Sequence, residues 1–209
     1  IVFSVITLIP FVWMICSAFK AKEAFFSSMF LPRGDGFLGI AWDQLTLDNF
    51  VRIFAELGIG NAILNSAFLV STHAILATTA SAMGGYALSK LHFRGRGAMV
   101  MLVLWILIIP GPLLLAPGYE LIYQLGLLDT YGALILPGLA PAFGVFLFRQ
   151  AMVNSIPDSL LESARIDGAG ELRIFFEIVL PLVRPMIGAF LMISFLLMWN
   201  NFIGPQIML

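Results

Sequence analysis

Five apolar runs dominate this chain, at roughly 1–19, 61–89, 98–117, 131–153 and 182–204. Each is close to or above the ~20 residues that an α-helix needs to cross the hydrocarbon core of a bilayer. Of the 209 residues, 60% are hydrophobic and 11% are charged, and the mean hydropathy is +1.00. A water-facing surface cannot be built from that composition, whereas a lipid-facing one can. The runs follow one another too closely for a soluble domain between them. The expected fold is therefore an all-α polytopic membrane bundle, with residues 1–209 forming one transmembrane domain. There is no internal repeat or low-complexity stretch. The net charge of -1 offers no basic field to a nucleic acid. The single cysteine, Cys16, lies inside the first apolar run, so no intramolecular disulfide can form. The chain opens at Ile1, already inside an apolar run and without a Met or a basic flank. A preceding segment is expected, and no signal peptide is recognisable.

Basic residues give the orientation, because Lys and Arg concentrate in cytoplasmic links. Lys90, Arg94 and Arg96 follow the second run, and Arg149, Arg165, Arg173 and Arg184 follow the fourth. Segment 20–60 mixes Lys20, Lys22, Arg33 and Arg52 with five acids, and link 118–130 has only Glu120 and Asp129. Seven basic residues against four put the Lys90 and Arg165 links inside and segment 20–60 outside. Prolines interrupt several runs, among them Pro110 and Pro112, Pro137 and Pro141, and Pro185. Each frees a backbone carbonyl, so these positions either kink helices for packing or mark broken helices along a translocation path.

Between the fourth and fifth runs lies a charged segment, 155–181, that lipid alone would not select. Ser155-Ile156-Pro157-Asp158 is expected to start a helix, with Ser155 as its N-cap and Pro157 in the first turn. Gly168 suits the left-handed residue that ends it. A second helix is expected from about Glu171 to Leu180, with Leu172, Phe175, Phe176 and Val179 on its apolar face and Pro181 where it gives way. Glu162 and Arg165 can pair at i,i+3 or meet charges on a partner. A stiff helix with small Ala164 and Gly168 lets another backbone come close and can transmit force. The other reading is an amphipathic connector lying at the headgroups.

Glu162-Ser163-Ala164-Arg165-Ile166-Asp167-Gly168-Ala169, followed by Ile178-Val179-Leu180-Pro181, resembles the E-A-A-x-x-D-G-A … I-x-L-P loop of ABC-importer permeases. Ser163 is the one departure, a small-for-small change. The resemblance extends through Leu45–Phe50, Asn65-Ser66, Tyr86–Lys90, Phe93–Arg96, Gly126–Thr130 and Trp199–Phe202. It is a resemblance to carbohydrate permeases of the maltose-permease type, the shorter of the two membrane subunits. It implies a type I importer bundle of six spans, of which five are present here. A sixth span and a C-terminal tail, which can also approach the ATPase, are then expected beyond Leu209. It further implies that Glu162, Ser163, Ala164, Asp167, Gly168, Ala169, Ile178, Leu180 and Pro181 form the surface where an ATPase docks.

Asn65, His73, Asn200 and Asn201 are the candidate substrate-path residues. An ionisable group inside a span is a functional candidate by default, yet His73, near Ser71, Thr72, Thr78 and Thr79, could equally bond a neighbouring helix. Asn200 and Asn201 could bind sugar hydroxyls or cap their helix. Gly84-Gly85 suits close helix packing. Enzyme chemistry finds no support. No phosphate-cradling G-x-x-x-x-G-K-[ST] occurs, and two histidines with one cysteine make no metal cluster. No cofactor or metal is expected, and ATP hydrolysis must come from another subunit.

The resemblance implies a multi-pass permease in the plasma membrane of a prokaryote. Its partners would be a homologous second permease, two copies of a cytoplasmic ABC ATPase, an external solute-binding protein and the bilayer. ATPase closure would move the 155–181 loop and switch the cavity between inward and outward opening. Two alternatives stand beside a sugar importer. One is a permease of the same loop family for glycerol phosphate, a peptide or an anion. The other is a secondary transporter or channel with no ATPase.

Overall fold

The computed structural model describes residues 2–209, which fall into two compact units, the first ending at Asn65 and the second spanning Ser66–Leu209. Among the described residues there is no β-strand, only two isolated bridges, Lys20 with Leu45 and Arg33 with Ile40.

The first unit opens with helix α1, Val2–Ala18. Short 3-10 turns follow, at Lys22–Ala24, Phe37–Gly39 and Trp42–Gln44. Asn49 ties this segment to the end of α1. Its Nδ2 donates to the carbonyls of Ala18 at 3.0 Å, which the end of the helix leaves free, and of Lys20 at 2.8 Å.

The second unit contains most of helix α2, Ile59–Lys90, the one unbroken helix among the described residues long and apolar enough to cross a membrane. Its 32 residues make about 48 Å at 1.5 Å per residue, against a core of about 30 Å, so turns remain beyond the core. Three further spans can be counted only if each bent pair of helices is taken as one span.

The third apolar run is not the single helix expected over 98–117. Helix α3, Arg96–Ile108, stops and the axis turns by 103° before Gly111–Gln124 resumes, including helix α4, Leu115–Gln124. Proline is the reason. Ile109 precedes Pro110, the ring pushes it out of the helical region, and it adopts ψ 121°. The fourth run bends by 42° between Tyr131–Gly138 and helix α5, Ala142–Ser155, where Pro141 is extended at ψ 132°. The last bend, 83°, separates Glu171–Leu182 from helix α8, Arg184–Trp199, so the fifth run ends at Trp199 and a short helix, Ile203–Met208, follows.

Helices α3 and α8 both pack beside α5. Gly85 brings α2 against it too. A Cβ on Gly85 would lie 2.6 Å from Phe148 Cβ and 2.8 Å from the Arg149 nitrogen, so the two backbones approach as only glycine allows. The resulting core contains Ala82, Tyr86, Phe148, Met152 and Phe190 from the helices. It also contains Ile156, Leu161, Ile174, Phe175 and Val179 from the 155–181 segment.

Candidate functional site

The 155–181 segment folds as two short helices about a glycine corner. Helix α6 spans Asp158–Ile166, and Pro157, not Ser155, occupies its N-cap position without a side-chain cap. Ser155 instead ends α5. Pro157 again dictates this, because it forces Ile156 to be extended (φ -119°, ψ 110°) and so separates Ser155 from the new helix. At the other end Gly168 has φ +82°. Its N–H donates to Arg165 O, and that of Ala169 donates to Ala164 O, both at 3.0 Å. That pair of bonds is the Schellman closure, and it requires the left-handed residue that glycine supplies. Nothing lies within 4 Å of where a Cβ would stand, so backbone conformation and not space demands glycine here.

Helix α7, Glu171–Ile174, continues through a widened π-type turn, Phe175–Val179, into Leu180–Leu182. Its inward face matches the expected one at Phe175 and Val179 and differs at Leu172 and Phe176. Ile174, Phe175 and Val179 are buried, whereas Leu172 is 67% and Phe176 55% exposed.

Two polar clamps join the segment to α2. Lys90, only 6% exposed, donates from Nζ to Ile156 O at 2.6 Å and to Asp158 Oδ1 at 2.7 Å. Tyr86 Oη donates to Glu171 Oε2 at 2.5 Å, and Arg165 grips the same carboxylate through Nε at 2.7 Å and Nη2 at 3.4 Å. Arg165 therefore pairs with Glu171 across the corner and not with Glu162 along the helix. The reason is distance across the fold: the turn at Gly168 brings Glu171 back beside Arg165. In the sequence Lys90 stands out only as a topology signal and Tyr86 only as part of a motif. The one clue to their role is that both sit at the end of a helix longer than a bilayer requires.

The expected docking residues divide by side. Glu162, Ser163, Asp167 and Gly168 are exposed, with Ile166 beside them 86% exposed. Ala164, Ala169, Ile178 and Leu180 pack against the buried core, and Pro181 is half-buried. Ser163 Oγ is occupied within its own helix, donating to Ser159 O at 2.9 Å. The arrangement is a helix–turn–helix whose inner face packs on the core and whose outer face is exposed.

Electrostatics reinforce the fastening. The Arg165 guanidinium, and then the Tyr86 hydroxyl, hold Glu171 below the usual carboxylate range. Glu171 in turn raises Arg165. The hydrogen bond and charge of Lys90 lower Asp158. Both carboxylates thus bind protons less readily when fastened than when free. Fastening is fully present above the ordinary carboxylate values of about 4 and is lost as pH falls through the lower fastened values. Hydrogen exchange of residues 158–175, corrected for intrinsic rates, should show constant protection from about pH 8 to about pH 5 and declining protection below about pH 4. Glu171→Gln should remove part of that decline. Protection that grows on acidification would contradict the clamps.

The candidate path residues are not brought together as a set. His73 and Asn201 border one cavity of about 500 Å3, together with Pro112, Pro137 and Gly138. His73 is 9% exposed, and its Nδ1 has no hydrogen-bond partner among the described residues. Gly138 leaves room for the imidazole, since a Cβ there would clash with the ring. Asn201 accepts from the Gly204 N–H at 3.0 Å, and Asn200 donates to Leu196 O at 2.8 Å, so both act in their helix terminus. Asn200 is exposed and outside that cavity lining. Asn65 is exposed and belongs to the first unit.

Comparison with known proteins agrees with this architecture. The chain is 42% identical over 170 residues to the arabinooligosaccharides transport system permease protein AraQ of Halalkalibacterium halodurans, covering 79% of this chain and 59% of that protein. It is 34% identical over 208 residues to the diacetylchitobiose uptake system permease protein NgcG of Streptomyces coelicolor, covering 98% of this chain and 65% of that one. It thus spans about three-fifths of the length of these relatives. A solved bacterial ABC transporter involved in import of the acidic polysaccharide alginate shares the fold. Its TM-score is 0.73 at 20% identity, over 100% of this chain and 70% of that one. A family model for binding-protein-dependent transport system inner membrane components matches residues 1–209, and the chain belongs to that family.

Proposed function

We propose that this chain is a pore-forming permease subunit of an ATP-driven importer, and that its cargo is a sugar or oligosaccharide. The observation that carries the proposal is the lever at 155–181. Its inner face is fastened to α2 and the core, while Glu162, Asp167 and Ile166 stand bare on the outer face. Such a surface needs a partner, and a motor ATPase is the partner that the family's binding-protein-dependent transport calls for. The names of the two relatives favour an oligosaccharide cargo. His73 and Asn201 carry the polar side chains in the cavity lining that a sugar hydroxyl would approach. The chemistry on this chain is binding and movement. Hydrolysis belongs to two copies of a cytoplasmic ATPase, solute delivery to an external binding protein, and the second half of the pore to a homologous permease beside this chain in a prokaryotic plasma membrane. Closing of the ATPase pair pushes α6, and the Tyr86 and Lys90 clamps carry that push into α2.

Glu162→Lys tests the docking charge. Glu162 is exposed and is in no ion pair with the described residues, so its reversal leaves the fold intact. Co-purification of the ATPase from the natural host should fall by about tenfold or more, the equivalent of ~1.4 kcal/mol, at normal permease levels. ATPase recovery and uptake at wild-type levels would overturn the assignment.

A further inference from the structure

The helical stretch that leaves the Gly168 corner, Glu171–Leu182, carries three strips where a water-facing connector needs only two. Ile174, Phe175 and Val179 are buried in the core. Arg173 and Glu177 form a solvent-facing i,i+4 ion pair at 2.8 Å. Leu172 and Phe176, also four apart, make a third strip that is apolar and bare. That strip is continuous with the core, because the Phe176 ring stands edge-on to Phe175 at 5.1 Å. It belongs to a different helix from Glu162 and Ile166, which stand on the outer face of α6.

Two observations place a bilayer against this strip. Glu171–Leu182 turns by 83° into α8, whose sixteen residues form an apolar span, so it runs along the membrane surface and not through it. Its depth is set by Phe175, whose ring packs on Tyr86 at 5.5 Å. Tyr86 lies four residues before the end of α2 at Lys90, which is about 6 Å along the axis at 1.5 Å per residue. The stretch thus meets α2 about one turn inside its end, the level at which an in-plane amphipathic helix buries its apolar edge. We infer that Glu171–Leu182 lies in the headgroup layer of the bilayer, with Leu172 and Phe176 among the acyl chains and Arg173 and Glu177 turned to water. The bilayer then holds this half of the corner at a fixed depth while the outer face of α6 stays free. This placement requires the membrane spans and not the ATPase, so it stands or falls separately from the docking face on α6.

The test uses the full chain in lipid nanodiscs with Cys16→Ala and one nitroxide label at a time, on Leu172→Cys, Phe176→Cys, Arg173→Cys or Ile166→Cys. Electron paramagnetic resonance then compares collisions with oxygen, which concentrates in lipid, and with a nickel chelate, which stays in water. Labels at positions 172 and 176 should meet oxygen at least about threefold more often than the chelate, and labels at positions 173 and 166 should show the reverse order. Should a label at position 176 disturb the packing on Phe175, the one at position 172 still decides, because Leu172 is the more exposed side chain. In the complex purified with its ATPase from the natural host, the ratio at position 172 should be unchanged. An oxygen preference at position 172 no greater than that at position 173 overturns the placement. Loss of collisions with both reagents at position 172 when the ATPase is present also overturns it, because a protein and not lipid then covers the strip.

Discussion

On the proposed coupling role, Gly168→Val should leave this chain inserted in the membrane and abolish solute uptake. The residue sits at φ +82°, where a β-branched side chain is a true outlier. A Cβ in the left-handed region costs roughly 1–2 kcal/mol, and branching adds to it. The surroundings are empty, so valine acts through the backbone and not by collision. The corner would open, its two 3.0 Å closing bonds would be lost, and Arg165 would swing away from Glu171. The lever would then yield where it should push. Gly168→Asn is the control, since asparagine tolerates this conformation, and it should retain substantial uptake. Normal uptake by the valine variant at wild-type complex levels would remove the corner from the mechanism.

Phe148→Ala should produce the largest loss of stability. Phe148 is 0% exposed and stands edge-on to Phe190 at 5.6 Å, directly over Gly85. It sits where α2, α5, α8 and the 155–181 segment share one core. Truncating a buried Phe costs about 3–5 kcal/mol, since lost contacts and a residual cavity add. In a chain of this size that corresponds to a Tm lower by ~10 °C. Because the lever is fastened to the same core, limited proteolysis should open the 158–175 segment in this variant before it cuts elsewhere. Leu197→Ala, at a position 70% exposed, should shift Tm little. A Phe148→Ala chain with unchanged Tm would mean that the lever is held by its polar clamps alone.

Particular residues show how far the sequence could be read. Gly168 was legible because a lone glycine after a polar helix, followed by a new helical run, marks a left-handed helix end, and its positive φ is present. Close packing at Gly84-Gly85 was legible because paired glycines inside a span remove the side chains that hold backbones apart. Val145 and Phe148 lie where those side chains would be. The pairing of Arg165 was not legible. Glu162 at i-3 and Glu171 at i+6 are both within a short stretch of chain, and only the direction of the turn selects Glu171. The cap of α6 was misread because Ser155 has the right chemistry but the wrong neighbour: Pro157 keeps Ile156 extended. The third run was apolar enough for one helix, yet Pro110 bends it by 103°. Composition reports solubility in lipid and says nothing of axis direction.

The sequence by itself determined the all-helical membrane class, the family, and the charged motif at Glu162–Gly168. Those follow from local quantities: apolar run length, backbone preference at Gly and Pro, and a fixed spacing of polar residues. Only the tertiary structure decided which face of that motif is free. Leu161, Ile174, Phe175 and Val179 bury one side against α2, α5 and α8. Lys90 and Tyr86, far away in the chain, take up Asp158 and Glu171. It likewise decided that His73 and Asn201 share a cavity while Asn200 and Asn65 lie outside it. The physical reason is that burial and pairing between residues distant in the chain depend on how the helices cross, and no local pattern encodes a crossing.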